Sequence, residues 1–242
     1  MTAARRDLSV LPAADWADGV ADALAQRIEA RPHLVLCLPT GSTPRPVYER
    51  LPAALSRAGA ATRQASVVLL DEYLGLPAGH PVRCDAQLHR QVIKPLPEPP
   101  ATFLAFDVDG PDPAAACAAY DAAIERAGGL DLVVLGLGTN GHIGMNEPGT
   151  GPDAPTRVIE LAPSTMAAAL AYGADPPPGH GVTLGLAGIL AAREIWLLVS
   201  GERKAAILRA VLDGPVTTDV PASLLRGHPG LRIVADDDAW PG

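Results

Sequence analysis

Apolar positions recur along the chain in two alternating rhythms. Val20, Leu24 and Ile28 fall at helical spacing within residues 15–30 and predict an amphipathic helix. Residues 33–38 follow as a short apolar run that stops at Pro39-Thr40-Gly41. Helical spacing returns through Val47, Leu51 and Leu55 and ends at Gly59. The alternation then predicts a strand at 67–70, a helix at 87–93, a strand at 103–106, an Ala-rich helix at 113–127 and a strand at 132–135. A strand at 195–199, a helix at 202–212 and a last strand at 231–234 complete the series. Strands alternating with helices predict an α/β fold, with a mainly parallel, doubly wound sheet between two helical layers. Residues 173–181 break the rhythm with three consecutive prolines and three glycines, and read as a loop.

Composition narrows the picture. At 242 residues the chain suits one domain, spanning 1–242. Aromatic residues make up only 4% of it, so the core is expected to be built from Ala, Leu, Val and Ile. The net charge of -8, with no basic run, argues against nucleic acid, whose phosphates are bound by clustered Lys and Arg. Residues 1–10 lack the apolar stretch of a secretory signal, and no run of about 18 apolar residues predicts a membrane span. Cys37, Cys84 and Cys117 are odd in number and far apart, so they read as reduced, small apolar residues rather than disulfides or metal ligands. A cytoplasmic protein is expected.

Parallel sheets bind ligands at the carboxyl ends of their strands, and three strand ends here carry chemistry. The first is Pro39-Thr40-Gly41-Ser42-Thr43-Pro44, a small-residue turn leading into a helix. It offers free N–H groups and hydroxyls to a phosphate, or is an ordinary capped helix start. It lacks the Gly-Lys-Ser/Thr element of a nucleotide-binding P-loop. The second is Asp71-Glu72, two carboxylates closing a buried strand, either a desolvated general base or a strand end reaching solvent. The third runs from Gly138 through Asn140, Gly141 and His142 to Glu147. Glycines there alternate with side chains that can move or orient protons.

Together the segments at 39–44, 71–73 and 138–148 resemble the glucosamine-6-phosphate deaminase and galactosamine-6-phosphate isomerase family, related to the 6-phosphogluconolactonases. The resemblance runs from about residue 34 to about 234. It takes in Val182-Thr183-Leu184-Gly185, Ala192-Arg193-Glu194, 201–204 and 221–228 in order. Its most specific stretch is Gly141-His142-Ile143-Gly144-Met145-Asn146-Glu147-Pro148. The resemblance implies a three-layer, modified Rossmann-like fold. It also implies a cofactor-independent hydrolase acting on a C–N bond, converting an amino sugar 6-phosphate to a ketose phosphate and ammonia. Asp71 would move the proton between C2 and C1, and His142 would assist ring opening, oriented by Glu147 and Asn140. Gly41, Ser42, Thr43 and Lys204, one of only two lysines, would hold the phosphate. Thr40, Glu72, Gly138 and Gly141 would complete the substrate site. No metal, membrane or nucleic-acid partner is implied, and the expected state is a monomer or small homo-oligomer.

Two departures bear on this resemblance. Many glucosamine-type members have Asp where this chain has Asn140, and many bring an arginine from the segment aligned with 165–172, which here has none. Arg45 and Arg157 are the candidate replacements. These features, with 128–132 and 221–223, lean slightly toward galactosamine-6-phosphate. Ile159 stands where allosteric members carry a basic residue, which argues against allosteric control and a hexamer. A 6-phosphogluconolactonase is the rival enzyme, and a catalytically silent sugar-phosphate sensor is the reading outside catalysis.

Overall fold

The computed structural model describes residues 8–241; residues 1–7 and 242, including most of the segment read as lacking a signal, lie outside the described residues. Seven strands form one parallel sheet in the order β1 (Leu8–Leu11), β10 (Leu231–Asp236), β9 (Glu194–Val199), β6 (Leu132–Gly136), β2 (Val35–Leu38), β3 (Ser66–Leu69) and β5 (Thr102–Leu104). The central strands read as unbroken apolar runs because helices cover both faces. Val35–Leu38 is buried at every position, and Ile195–Val199 likewise. The helices are α1 (Ala13–Ala30), α2 (Arg45–Ala58), α3 (Cys84–Leu88), α4 (Pro113–Arg126), α5 (Pro163–Ala171), α6 (Leu186–Leu190) and α7 (Ala205–Asp213).

Several boundaries differ from the sequence expectation for local reasons. The helix expected at 87–93 starts earlier as α3 and widens into a π-type turn at His89–Ile93. The helix expected at 202–212 begins as a tight 3-10 turn at Glu202–Lys204 before α7. Phe106 lies beyond β5, its ring stacked 3.8 Å from that of Tyr120 in α4. β1 is short and only half buried, which left it without a readable pattern.

The largest departure is a second sheet, antiparallel, in the order β4 (Asp71–Tyr73), β8 (His180–Thr183), β7 (Arg157–Glu160). Asp71 does not close the buried strand before it. β3 stops at Leu69, and Asp71 opens β4 opposite Thr183. The last two residues of the expected loop, His180 and Gly181, therefore belong to β8. Among the described residues no helix is long and apolar enough to cross a membrane.

Candidate active site

The chain leaves β2 toward β3 on one side and β6 toward β9 on the other, so the crevice between the ends of β2 and β6 is a switch point of the sheet. A cleft of about 310 Å³ opens there. Thr40, Gly41, Ser42, Thr43, Asp71, Gly138, His142 and Lys204 all line it, though they are drawn from most of the length of the chain.

Its first wall is the turn between β2 and α2. Gly41 sits at φ 112°, a conformation a side chain disfavours, and this turns the chain back toward the cleft. Among the described residues no side chain caps α2, so the N–H groups of its first turn stay available to an anion, beside the Ser42 and Thr43 side chains. Lys204 reaches the same cleft from the turn after β9. That turn is pinned by buried Asp236, whose carboxylate accepts the Gly201 N–H at 2.9 Å and the Ser200 hydroxyl at 2.6 Å. Burial lowers the Lys204 pKa, as does nearby Arg203.

The second wall carries Asp71. Side chains alternate along a strand, and β4 sends Asp71 to the cleft while Glu72 goes under α3. The expectation that Glu72 touches substrate is corrected by this alternation. Its carboxylate is fully buried and accepts N–H groups from Tyr73 at 2.7 Å and from Cys84 and Asp85 at 2.8 Å, so it caps α3. Asp71 is 7% exposed. Burial pushes its pKa up to about 7, against a hydrogen bond from the Cys84 thiol that lowers it.

His142 forms the third wall, backed by a chain of polar contacts. Its Nδ1 lies 2.6 Å from the Asn140 Oδ1, and the Asn140 Nδ2 donates to Glu147 Oε2 at 2.7 Å. The Asn140 Oδ1 also accepts the His142 backbone N–H at 3.1 Å, which fixes the amide's orientation. An oxygen facing Nδ1 requires a proton there, so in the neutral ring Nε2 keeps the free lone pair. Burial is the main cause lowering the His142 pKa; Glu147 acts against it and Lys204 with it. The ring also needs Gly138: a Cβ there would stand 2.4 Å from His142 Nδ1.

Asn140 and Glu147 thus stand behind His142 rather than in the cleft. Gly141 does not line it either. At φ 89° its carbonyl accepts the Ala222 N–H, and a Cβ would meet Val220 at 2.7 Å. Arg157 is committed to structure, donating to Asn146 Oδ1 at 2.9 Å and to the Pro155 carbonyl at 3.2 Å. Arg45 lies outside the cleft, in a neighbouring cavity of about 380 Å³ that shares Gly41, Ser42, Gln87 and Tyr172 with it. His228 gains a structural role, its Nε2 2.9 Å from the Ala192 carbonyl and its Nδ1 accepting the Gly230 N–H. Sequence reasoning missed Tyr73, Cys84, Gln87, Ser164, Thr165 and Tyr172, all of which line the cleft. The run of Ser164 and Thr165 after Pro163 was a usable helix-start signal, whereas Cys84 and Gln87 carried none.

The family profile described as glucosamine-6-phosphate isomerases/6-phosphogluconolactonase matches residues 10–233. A Streptomyces coelicolor protein named glucosamine-6-phosphate deaminase is 41% identical over 223 residues, covering 91% of this chain and 85% of the relative. A solved structure described as a monomeric glucosamine-6-phosphate deaminase is 30% identical, with a TM-score of 0.91, covering 96% of this chain and 98% of that one. A 6-phosphogluconolactonase from Trypanosoma cruzi is similar in fold, with a TM-score of 0.78 at 19% identity over 98% and 96% of the two chains.

Proposed function

The chain belongs to the glucosamine-6-phosphate isomerase/6-phosphogluconolactonase family, and from that premise we propose that it deaminates a hexosamine 6-phosphate to the ketohexose 6-phosphate and ammonia. The observation that carries this reading is the pairing, across one cleft, of a buried carboxylate titrating near neutrality with an imidazole held neutral. A lactone hydrolase has no carbon-bound proton to remove and needs a base only to activate water, so one of the two groups would suffice for it.

In this reading each residue has a role. The 6-phosphate sits on the N–H groups and hydroxyls of Gly41, Ser42 and Thr43, with Lys204 adding its charge. Nε2 of His142 takes the proton from the C1 hydroxyl and passes it to the ring oxygen, opening the pyranose. Asp71 removes the C2 proton to give an enolamine and returns a proton at C1. Water then hydrolyses the ketimine, releasing ammonia. Each such proton relay is worth about 10²–10⁴-fold.

The Streptomyces coelicolor relative and the 30% identical structure both carry glucosamine-6-phosphate in their names. The lean toward galactosamine-6-phosphate has no support there, and glucosamine-6-phosphate is the first substrate of this reading. The same structure's description supports a monomer. The test is ammonia release from each amino sugar 6-phosphate, with Asp71→Asn as control. Turnover lost in the variant is the expected result. Silence with both sugars alongside hydrolysis of 6-phosphogluconolactone would overturn the reading, and silence with all three would leave a sugar-phosphate binder.

A further inference from the structure

A phosphate monoester brings about 1.5–2 negative charges to its seat at pH 7. Among the described residues that line the cleft, Lys204 is the single lysine or arginine, and His142 is held neutral. The turn at Gly41 and Ser42, however, has a second side. It also lines the neighbouring cavity of about 380 Å³, whose charged residues are Arg45, Arg90 and Glu49. Two cations to one carboxylate is an excess of positive charge in a chain whose net charge is -8. Arg45, Arg90 and Glu49 also line the next cavity, of about 420 Å³.

The two arginines are not equivalent. Arg45 already donates its Nε–H to Glu49 Oε1 at 3.1 Å. The guanidinium of Arg90 has no hydrogen-bond or ion-pair partner among the described residues. Beside it, Gln91 Oε1 is buried and also lacks a partner, a shortage that buried polar atoms rarely show. Both belong to the π-type turn at His89–Ile93, and such turns recur at functional sites. The turn is anchored from within, because Leu88 and Val92 are buried while Arg90 between them is exposed. An unpaired cation, an unpaired amide oxygen and a widened turn therefore coincide on the wall facing the anion seat from its other side.

We propose that Arg90 is a further substrate-binding residue, its guanidinium reaching across the side cavity to pair with the phosphate seated on the Gly41-Ser42-Thr43 turn. This deepens the reaction proposed above and rests on its phosphate seat, but phosphate binding alone measures it. A guanidinium fork gives a phosphate two parallel N–H···O bonds, which a lysine cannot. Its five donors suffice for the phosphate oxygens and for the unpartnered Gln91 Oε1 as well.

The experiment compares the wild type with Arg90→Ala, Arg90→Lys and Arg45→Ala in the full chain. Arg45→Ala removes the same charge from the same cavity, so it separates a direct contact from the general field. Calorimetry follows the binding of inorganic phosphate, and kcat and KM are measured for the amino sugar phosphate. Arg90→Ala is expected to weaken phosphate binding about tenfold and to raise KM about tenfold, with kcat changed less than about twofold. Lys should recover part of both, and Arg45→Ala should cost less than about threefold. Melting temperatures should stay put, since Arg90 is exposed and unpaired. Inorganic phosphate should compete with the substrate in the wild type. Phosphate binding unmoved in Arg90→Ala, or weakened equally in Arg45→Ala, overturns the inference. So does phosphate that binds through Arg90 without competing, which would make the side cavity a separate anion site. A wild type silent toward every amino sugar phosphate would overturn the proposed reaction, while the phosphate calorimetry would still decide the role of Arg90.

Discussion

The two sides of the cleft feel the same physical force with opposite results. On the β4 side, Asp71 is only 7% exposed, and burial pushes its pKa up to about 7. On the β6 side, His142 keeps about a quarter of its side chain exposed, and burial pushes its pKa down. Desolvation penalises whichever form is charged, so it raises an acid and lowers a base. The two groups are thereby driven in opposite directions on the pH scale, the carboxyl up and the imidazole down. They differ in how they are held. Asp71 is held by its place on β4, whereas His142 leans on a chain of two polar residues ending in Glu147, whose buried Oε1 makes no hydrogen bond but lies 3.5 Å from His142 Nδ1.

The largest effect that tests this contrast is Asp71→Asn. Turnover should fall by about 10²–10⁴-fold, since an amide cannot take the C2 proton. Stability should move the other way. Because the folded pKa is raised, the native state keeps a proton that the unfolded chain sheds from about pH 4 upward. Stability is therefore lost as pH rises through that window to about 7, and the uncharged variant should gain roughly 1–3 kcal/mol above it. Thermal melts at pH 5 and pH 8 would show this, and equal loss of stability at both would break the picture of a dry carboxylate. In the wild type, kcat/KM should climb from pH 6 to pH 8 as Asp71 ionises.

Gly138→Ala probes the opposite wall. A Cβ 2.4 Å from the His142 ring must displace it, and turnover should drop by about 10²-fold while the Asp71 titration stays put. Lys204→Ala should act on binding more than on chemistry. KM should rise by about 10–100-fold, the worth of one charge-assisted hydrogen bond, with kcat changed less.

The central sheet apart from β1 was legible because its strands are apolar runs separated by helical periodicity, a pattern that survives in any single sequence. β4 and β7 were not, because three- and four-residue strands in an antiparallel flap show too few alternations to register. The same brevity explains Glu72, which was read as part of the substrate site although adjacent strand residues face opposite ways. The phosphate seat and the His142 loop were readable from glycines and polar residues at strand ends. Cys84 was not, because a thiol reads as apolar until its neighbours are known. Asp236, which pins the Lys204 turn, lies 32 residues further along the chain and has no local signature at all.

The smallest and sharpest test is Asn140→Asp. The wild-type amide presents a neutral oxygen to His142 Nδ1 at 2.6 Å and spends its NH₂ on Glu147. A carboxylate there would place a full negative charge against Nδ1 and a second one against Glu147, which already lies 3.5 Å from the ring. Both favour the imidazolium, so the His142 midpoint, now below 6.5, should rise by about one pH unit or more. The signature in stability reverses as well. In the wild type the native state sheds the His142 proton before the unfolded chain does, so this group adds stability as pH rises from its lowered pKa to about 6.5. In the variant the raised pKa makes it add stability below about 6.5 and lose it as pH rises through the new midpoint. Nitrogen-15 NMR of the ring and melts between pH 5 and pH 8 read both effects. An imidazole that titrates where it did before would mean that burial, and not the oxygen facing Nδ1, sets the charge on this side of the cleft.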